Sequence, residues 1–231
     1  MIGFQNSKIR LMKNIFLSAS IPSPARHPKY YDTADIIAIR DAVIALVSIV
    51  LPKHRIIWGG HPSITPLIYY AIERMIINNM DRDDWSTPLS KEEKEHIDSI
   101  LKSSIQEHVT LYQSLFFEDK YPVDNNKFEN IIFTENVGDI HSSIQLMREK
   151  MLCDNEFDAA VFIGGMDGIE VEYKMFRECH PEAILLPVAS TGAATKLVYD
   201  NQFPEILKNE RFEKEYGYMS LFQKFLIDKI K

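Results

Sequence analysis

The segment Asp158-Ala159-Ala160-Val161-Phe162-Ile163 runs without a break into Gly164-Gly165-Met166-Asp167-Gly168 and then into Ile169-Glu170-Val171-Glu172. An apolar run, a glycine turn and a helix-like pattern, in that order, form a strand–turn–helix unit. Such a unit hides its apolar faces only when further strands and a covering layer pack on it. The same alternation recurs along the chain. Residues 14–20 are an apolar run ending in Ser18-Ala19-Ser20, ahead of Pro22 and Pro24. Asp32-Thr33-Ala34-Asp35 then offers capping side chains for a helix that reaches Leu51 and stops at Pro52. Residues 55–58 predict a second strand, broken by Gly59-Gly60-His61-Pro62, and a helix is expected from Thr65-Pro66 through Ile76. Strands are predicted over 109–112, 130–134, 159–163 and 183–188, with helices over 139–152, from Gly168 and after Gly192. This alternation predicts an α/β fold: a Rossmann-like, doubly wound parallel sheet with helices on both faces and right-handed crossovers.

A chain of 231 residues can bury one large core, and residues 1–231 are read as a single domain. Residues 81–131 read as an irregular, insert-like region: a polar connector, a charged helix start at Lys91, and a long loop over 118–127. In the C-terminal segment 201–231, Leu221, Phe222, Phe225, Leu226 and Ile230 recur at helical spacing and should dock on the body. A net charge of −7 argues against a nucleic-acid polymer as partner. The longest apolar stretch, 42–51, is too short to span a membrane, and residues 7–10 lead straight into a strand rather than a secretory leader. Cys153 and Cys179 present neither a disulfide framework nor metal-ligand spacing, which predicts a reducing, cytoplasmic setting.

In parallel sheets ligands sit beyond the carboxyl ends of the strands. The small-residue clusters fall there: Ser18-Ala19-Ser20, Gly59-Gly60-His61, Gly164-Gly165 and Ala189-Ser190-Thr191-Gly192. Glycines let a backbone approach a phosphate, and the unpaired N–H groups of a helix start point at it. Gly164, Gly165, Met166 and Gly168 are thus candidate ligand contacts. Asp167, with Glu170 three positions on, fits a capping box, and its charge would push a phosphate to one side. Ile169, Tyr173 and Phe176 mark the buried face of this helix, and Glu172 belongs to that face, so its carboxylate must be paired or point into a wet cleft. Arg148 borders the Met147/Met151 stripe and serves either as a surface ion-pair partner or as a bidentate anion grip. His61 is a ligand contact and proton carrier, or an ordinary loop histidine. The hydroxyls of Ser18, Ser20, Ser190 and Thr191 suit ligand contact, and capping serves the last two equally well. Arg26 and Lys29 are loop cations able to cover a phosphate. No metal-ligand set, catalytic triad or P-loop pattern is present, and no cofactor is predicted.

Arg148, the strand at 158–161, Gly164-Gly165 and Gly168 to Glu172 resemble the SLOG superfamily, whose founding branch is the cytokinin-activating phosphoribohydrolases. That branch carries Pro-Gly-Gly-x-Gly-Thr-x-x-Glu, preceded by an arginine on the previous helix. The resemblance implies that Arg148 and Glu172 form a catalytic pair for cleaving a nucleotide N-glycosidic bond, with the glycines on the 5′-phosphate. Here Ile163 replaces the proline, one extra residue separates Gly165 from Gly168, and Ile169 replaces the threonine. The longer Gly-Gly-Met-Asp-Gly form, with Leu-Pro-Val-Ala-Ser-Thr-Gly-Ala-Ala at 186–194, looks more like the prokaryotic branch related to melastatin channels and to Thoeris antiphage effectors. That branch implies a sensor of an NAD-derived or ADP-ribose-like nucleotide in antiviral defence. It further implies a homo-oligomer and an effector or TIR-type signalling partner. The other reading is a nucleotide N-glycosidase using Glu172 and Arg148. Residues 13–200 carry most of the resemblance.

Overall fold

A computed structural model describes residues 12–25, 28–51, 53–80 and 86–230. Arg26 and the helix-stopping Pro52 lie outside the described residues. Six strands form an all-parallel sheet: β1 (Asn14–Ser20), β2 (Arg55–Gly59), β3 (Val109–Ser114), β4 (Ile131–Thr134), β5 (Ala159–Gly164) and β6 (Ile184–Val188), in the order β4-β3-β2-β1-β5-β6. The strands alternate with α1 (Pro28–Tyr31), α2 (Ile36–Val50), α3 (Thr65–Asn78), α4 (Lys91–His108), α5 (Ile140–Cys153), α6 (Asp167–Cys179) and α7 (Ala193–Asn201). Two short helices, α8 (Glu210–Lys214) and α9 (Tyr218–Phe222), close the chain.

The chain steps from β1 outward through β2 and β3 to β4, then returns to the other side of β1 as β5 and β6. Right-handed crossovers therefore put α2, α3 and α4 on one face and α5 and α6 on the other. The reversal between β1 and β5 is the switch point where doubly wound sheets hold ligands. The central strands are apolar because both faces are covered: every residue of β5 is buried. β4, at the edge, leaves Ile132 and Phe133 exposed. Among the described residues, no helix is long and apolar enough to cross a membrane.

Local chemistry sets the helix starts. Asp35 accepts from Ala38 N–H to cap α2, whose buried face repeats through Ile39, Val43, Leu46 and Val50. Asp139 caps α5 in the same way through Ser142 N–H. Ser90 and Glu93 form a reciprocal capping box on α4. Leu221, Phe222, Leu226 and Ile230 are buried as their spacing predicts, and α9 packs on α2. The helical repeat is not one helix, however: a π turn, Gln223–Ile227, follows α9.

Three expectations change. The region 81–131 is not an insert among the described residues. α4 buries Ile97, Leu101 and Ile105 on its inner face, and β3 lies inside the sheet between β2 and β4. The stretch read as a loop over 118–127 holds two 3₁₀ turns, Leu115–Lys120 and Val123–Lys127. Ser114 Oγ accepts from Phe116 N–H at the first turn, and an Asp124–Lys127 ion pair clips the second. Finally, Cys153 and Cys179 are disulfide-bonded. They sit 26 residues apart, so nothing local signals the bond; the packing of α5 on α6 brings the two helix ends together.

Candidate functional site

Phe176 of α6 stacks on Phe16 of β1, with ring centroids 5.6 Å apart and an 11° interplanar angle, and Tyr173 meets Phe162 edge-on at 5.3 Å. These contacts seat Ile169, Tyr173 and Phe176 against the sheet, all buried as predicted. One consequence is that Glu172 comes to rest at the end of β1. Ser18 Oγ donates to Glu172 Oε2 at 2.5 Å, and Arg148 Nε donates to Oε1 at 3.1 Å. Both side chains of the ion pair are 16% exposed, so the pair is largely sheltered from water. Arg148 passes over the start of α6: a Cβ on Gly168 would lie 2.7 Å from Arg148 Nη2. The glycine at 168 makes room for the guanidinium.

The pair lies on a cavity of about 570 Å³ at the switch point, within the size range of small-molecule sites. From the predicted set, β1 contributes Ser18, Ala19 and Ser20, the β2 end contributes Gly59, Gly60 and His61, and the α6 start contributes Met166, Asp167 and Gly168 beside Glu172. Gly59 faces Met147, whose Cε would sit 3.3 Å from a Cβ there, and Gly60 gives up its side-chain space to the buried Gln113 amide. His61 Nδ1 accepts from Ser63 N–H at 3.2 Å and lies 2.8 Å from Ser63 Oγ. Ser63 Oγ in turn accepts from Ile21 N–H at 3.1 Å, tying the β1 and β2 ends together.

The glycine turn itself serves the fold. Gly164 N–H donates to Thr191 Oγ1 at 2.8 Å and Gly165 N–H to the Ser20 carbonyl at 2.8 Å. Both glycines adopt positive φ (59° and 79°), and a Cβ on either would strike Ile39 or Ile169. Their amides are therefore committed within the protein, and neither residue is among those lining the cavity. Asp167 does not cap α6 either. The N-cap is Met166, Asp167 is the first helical residue, and Glu170 accepts from Tyr30 Oη at 2.7 Å instead of closing a capping box.

Ser190, Thr191 and Gly192 also stand apart from the cavity lining. Ser190 Oγ donates to the Glu215 carbonyl, and buried Thr191 Oγ1 donates to Val188 O at 2.6 Å while accepting from Gly164. A polar strand end here fastens the β5 turn and the C-terminal segment. Lys29, in α1, is exposed with its ammonium 4.3 Å over the Tyr30 ring and is not in the lining. The Tyr30 hydroxyl, followed by Glu170 and Asp167, holds the Lys29 ammonium above its ordinary range.

The cavity also contains residues that strand-end reasoning passed over. Gln113 and Ser114 end β3, Phe117, Lys120 and Tyr121 follow, and Ile140, His141 and Ile144 begin α5. The polar Gln113-Ser114 end of an apolar strand was the available signal, since it falls at a strand end as the four small-residue clusters do. The aromatic and cationic residues beyond it carry no such mark.

A comparison with curated proteins finds no match to the chain. A family model does match, over residues 29–84 and 87–226, which include every element from the first turn of α1 to α9 and both members of the Arg148–Glu172 pair. On the strength of that match the chain belongs to the SLOG cluster3 family.

Proposed function

We propose that the chain binds a small nucleotide in the switch-point cavity and acts as a ligand-sensing module. The observation that carries this reading is the Arg148–Glu172–Ser18 arrangement. Each Glu172 oxygen has one hydrogen bond from the protein and a further lone pair for a ribose hydroxyl, and Arg148 has N–H groups left for an anion. In the finer form of the proposal, the ligand is NAD-derived or ADP-ribose-like and the setting is antiviral defence. The protein then works as a homo-oligomer passing its signal to an effector or TIR-type partner. The second reading, cleavage of a nucleotide N-glycosidic bond, is favoured by the same pair: a carboxylate beside a ribose can stabilise oxocarbenium-like charge, with Arg148 orienting the substrate.

The test is to mix the protein with AMP, NAD and ADP-ribose, follow its melting, and assay for free base and ribose phosphate. A ligand at one hundred times its Kd adds about 2.7 kcal/mol, or roughly 5–10 °C in Tm for a protein of this size. Arg148→Met should remove that increment. Stabilisation without product supports the sensor; product that disappears in Glu172→Gln establishes the glycosidase. A Tm unmoved by any of the three ligands sinks both readings.

A further inference from the structure

The two ends of the cavity differ in charge. At the β5 end stand the two carboxylates of Glu172 and Asp167 against the one guanidinium of Arg148, which pairs with Glu172. On the other side of the cavity, Phe117, Lys120 and Tyr121 follow the end of β3, and His141 lines it from the first turn of α5. β3 is three strand positions from β5, so the two ends lie roughly 14 Å apart at about 4.8 Å per strand. The usual anion-binding element, the amides of the glycine turn, is spent on Thr191 and Ser20. Asp167 adds a like charge at that end against any phosphate.

The β3 end is built rather than incidental. Tyr121 Oη donates to the Ser114 carbonyl at 2.7 Å, which folds the segment after β3 back onto the strand end. The Tyr121 ring is backed by Phe133, 5.9 Å away, while it lines the cavity. Burial, and then the charge of Glu118, pushes the Tyr121 phenol above its ordinary value, which keeps in place the proton it gives to Ser114. Phe117 breaks the 3₁₀ geometry of its turn (φ −106°, ψ 18°) and also reaches the cavity. The acids preceding Lys120, Glu118 and Asp119, are not among the lining residues.

Building on the nucleotide reading above, we propose that the ligand's phosphate is held at the β3 end by Lys120 and His141, beside Tyr121, and not at the glycine turn. The ribose hydroxyls then face Glu172, and the ligand is an elongated phosphate ester reaching from β5 to β3. Nucleoside diphosphate sugars have that reach; a ribose 5-phosphate alone does not.

The experiment measures ADP-ribose and adenosine affinity by calorimetry for the wild type, Lys120→Ala, Lys120→Arg and Lys29→Ala. Lys29 serves as the comparison because it flanks Asp167 and Glu170 on the glycine side, outside the cavity lining. Lys120→Ala should weaken ADP-ribose about tenfold or more, the scale of one charge-assisted hydrogen bond, while leaving adenosine within twofold. Lys120→Arg should restore most of the affinity, and the Lys120 effect should shrink as salt rises. Lys29→Ala should leave both ligands unchanged. ADP-ribose affinity that falls in Lys29→Ala but not in Lys120→Ala returns the phosphate to the glycine turn and overturns the proposal. So does equal weakening of adenosine and ADP-ribose by Lys120→Ala, which would mark a general structural role. If neither ligand binds the wild-type protein, the nucleotide reading fails and this proposal fails with it.

Discussion

Gly192→Ala is expected to lower the melting temperature by roughly 6–20 °C. Gly192 joins β6 to α7 at φ 70°, ψ −151°, and Ala193 follows at φ 53°. The Gly192 conformation is open essentially to glycine alone, and an L-residue there costs on the order of 1–3 kcal/mol. Strain is only part of the cost. A Cβ would lie 1.9 Å from the Thr33 carbonyl oxygen and 3.0 Å from its carbon, and these are backbone atoms with no rotamer to escape into. Relief requires moving the 33–35 segment, which receives Ala193 N–H at Thr33 O and gives Asp35 N–H to Thr191 O. Asp35 is the cap of α2, so the disturbance reaches a core helix. A total of about 3–5 kcal/mol follows, at roughly 2–4 °C per kcal/mol for a chain of this size. Scanning calorimetry checks it, and a variant melting within a degree of wild type would show that the turn yields without cost.

Opening the Cys153–Cys179 bond is expected to have a comparable effect. The bond ties the ends of α5 and α6, the two helices that bear Arg148 and Glu172, and closes a loop of 26 residues. Chain-entropy reasoning puts a loop of that length at about 3–4 kcal/mol. Dithiothreitol, Cys153→Ser and the double serine variant should each depress Tm by a similar amount, roughly 6–15 °C. Cys153 is exposed, so reductant can reach it. Thiol titration of the untreated native protein should find none free. Two titratable thiols in that sample, with a Tm indifferent to dithiothreitol, would mean that the bond does not form in solution.

Much of the fold could be read directly because its signals are local. β1 occupies Asn14–Ser20 as its apolar run required, Asp35 and Asp139 cap the helices that follow them, and Pro66 sits in the first turn of α3. Ile169, Tyr173 and Phe176 at helical spacing gave the inward face of α6, and Glu172 falls on it. The misreadings share a cause. Asp167 and Glu170 have the spacing of a capping box, but Tyr30, 140 residues away in sequence, takes Glu170. The partner of the Thr191 hydroxyl is equally remote: it accepts from Gly164 N–H, 27 residues away.

What the sequence determined by itself was the alternation of strands and helices, and with it a parallel sheet whose strand ends gather small residues on one rim. Periodicity and capping are set within a few residues, so no tertiary knowledge is needed to see them. Only the tertiary structure decided what each small-residue cluster contacts. A glycine amide binds a ligand or a neighbouring strand according to what packs against it, and at Gly164 and Gly165 the acceptors are Thr191 and Ser20. The same packing joined Cys153 to Cys179 and set Lys120 and Tyr121 on the cavity that holds Arg148 and Glu172. Those pairings span strands and helices remote in sequence, and they follow from the order of the sheet rather than from any local pattern of residues.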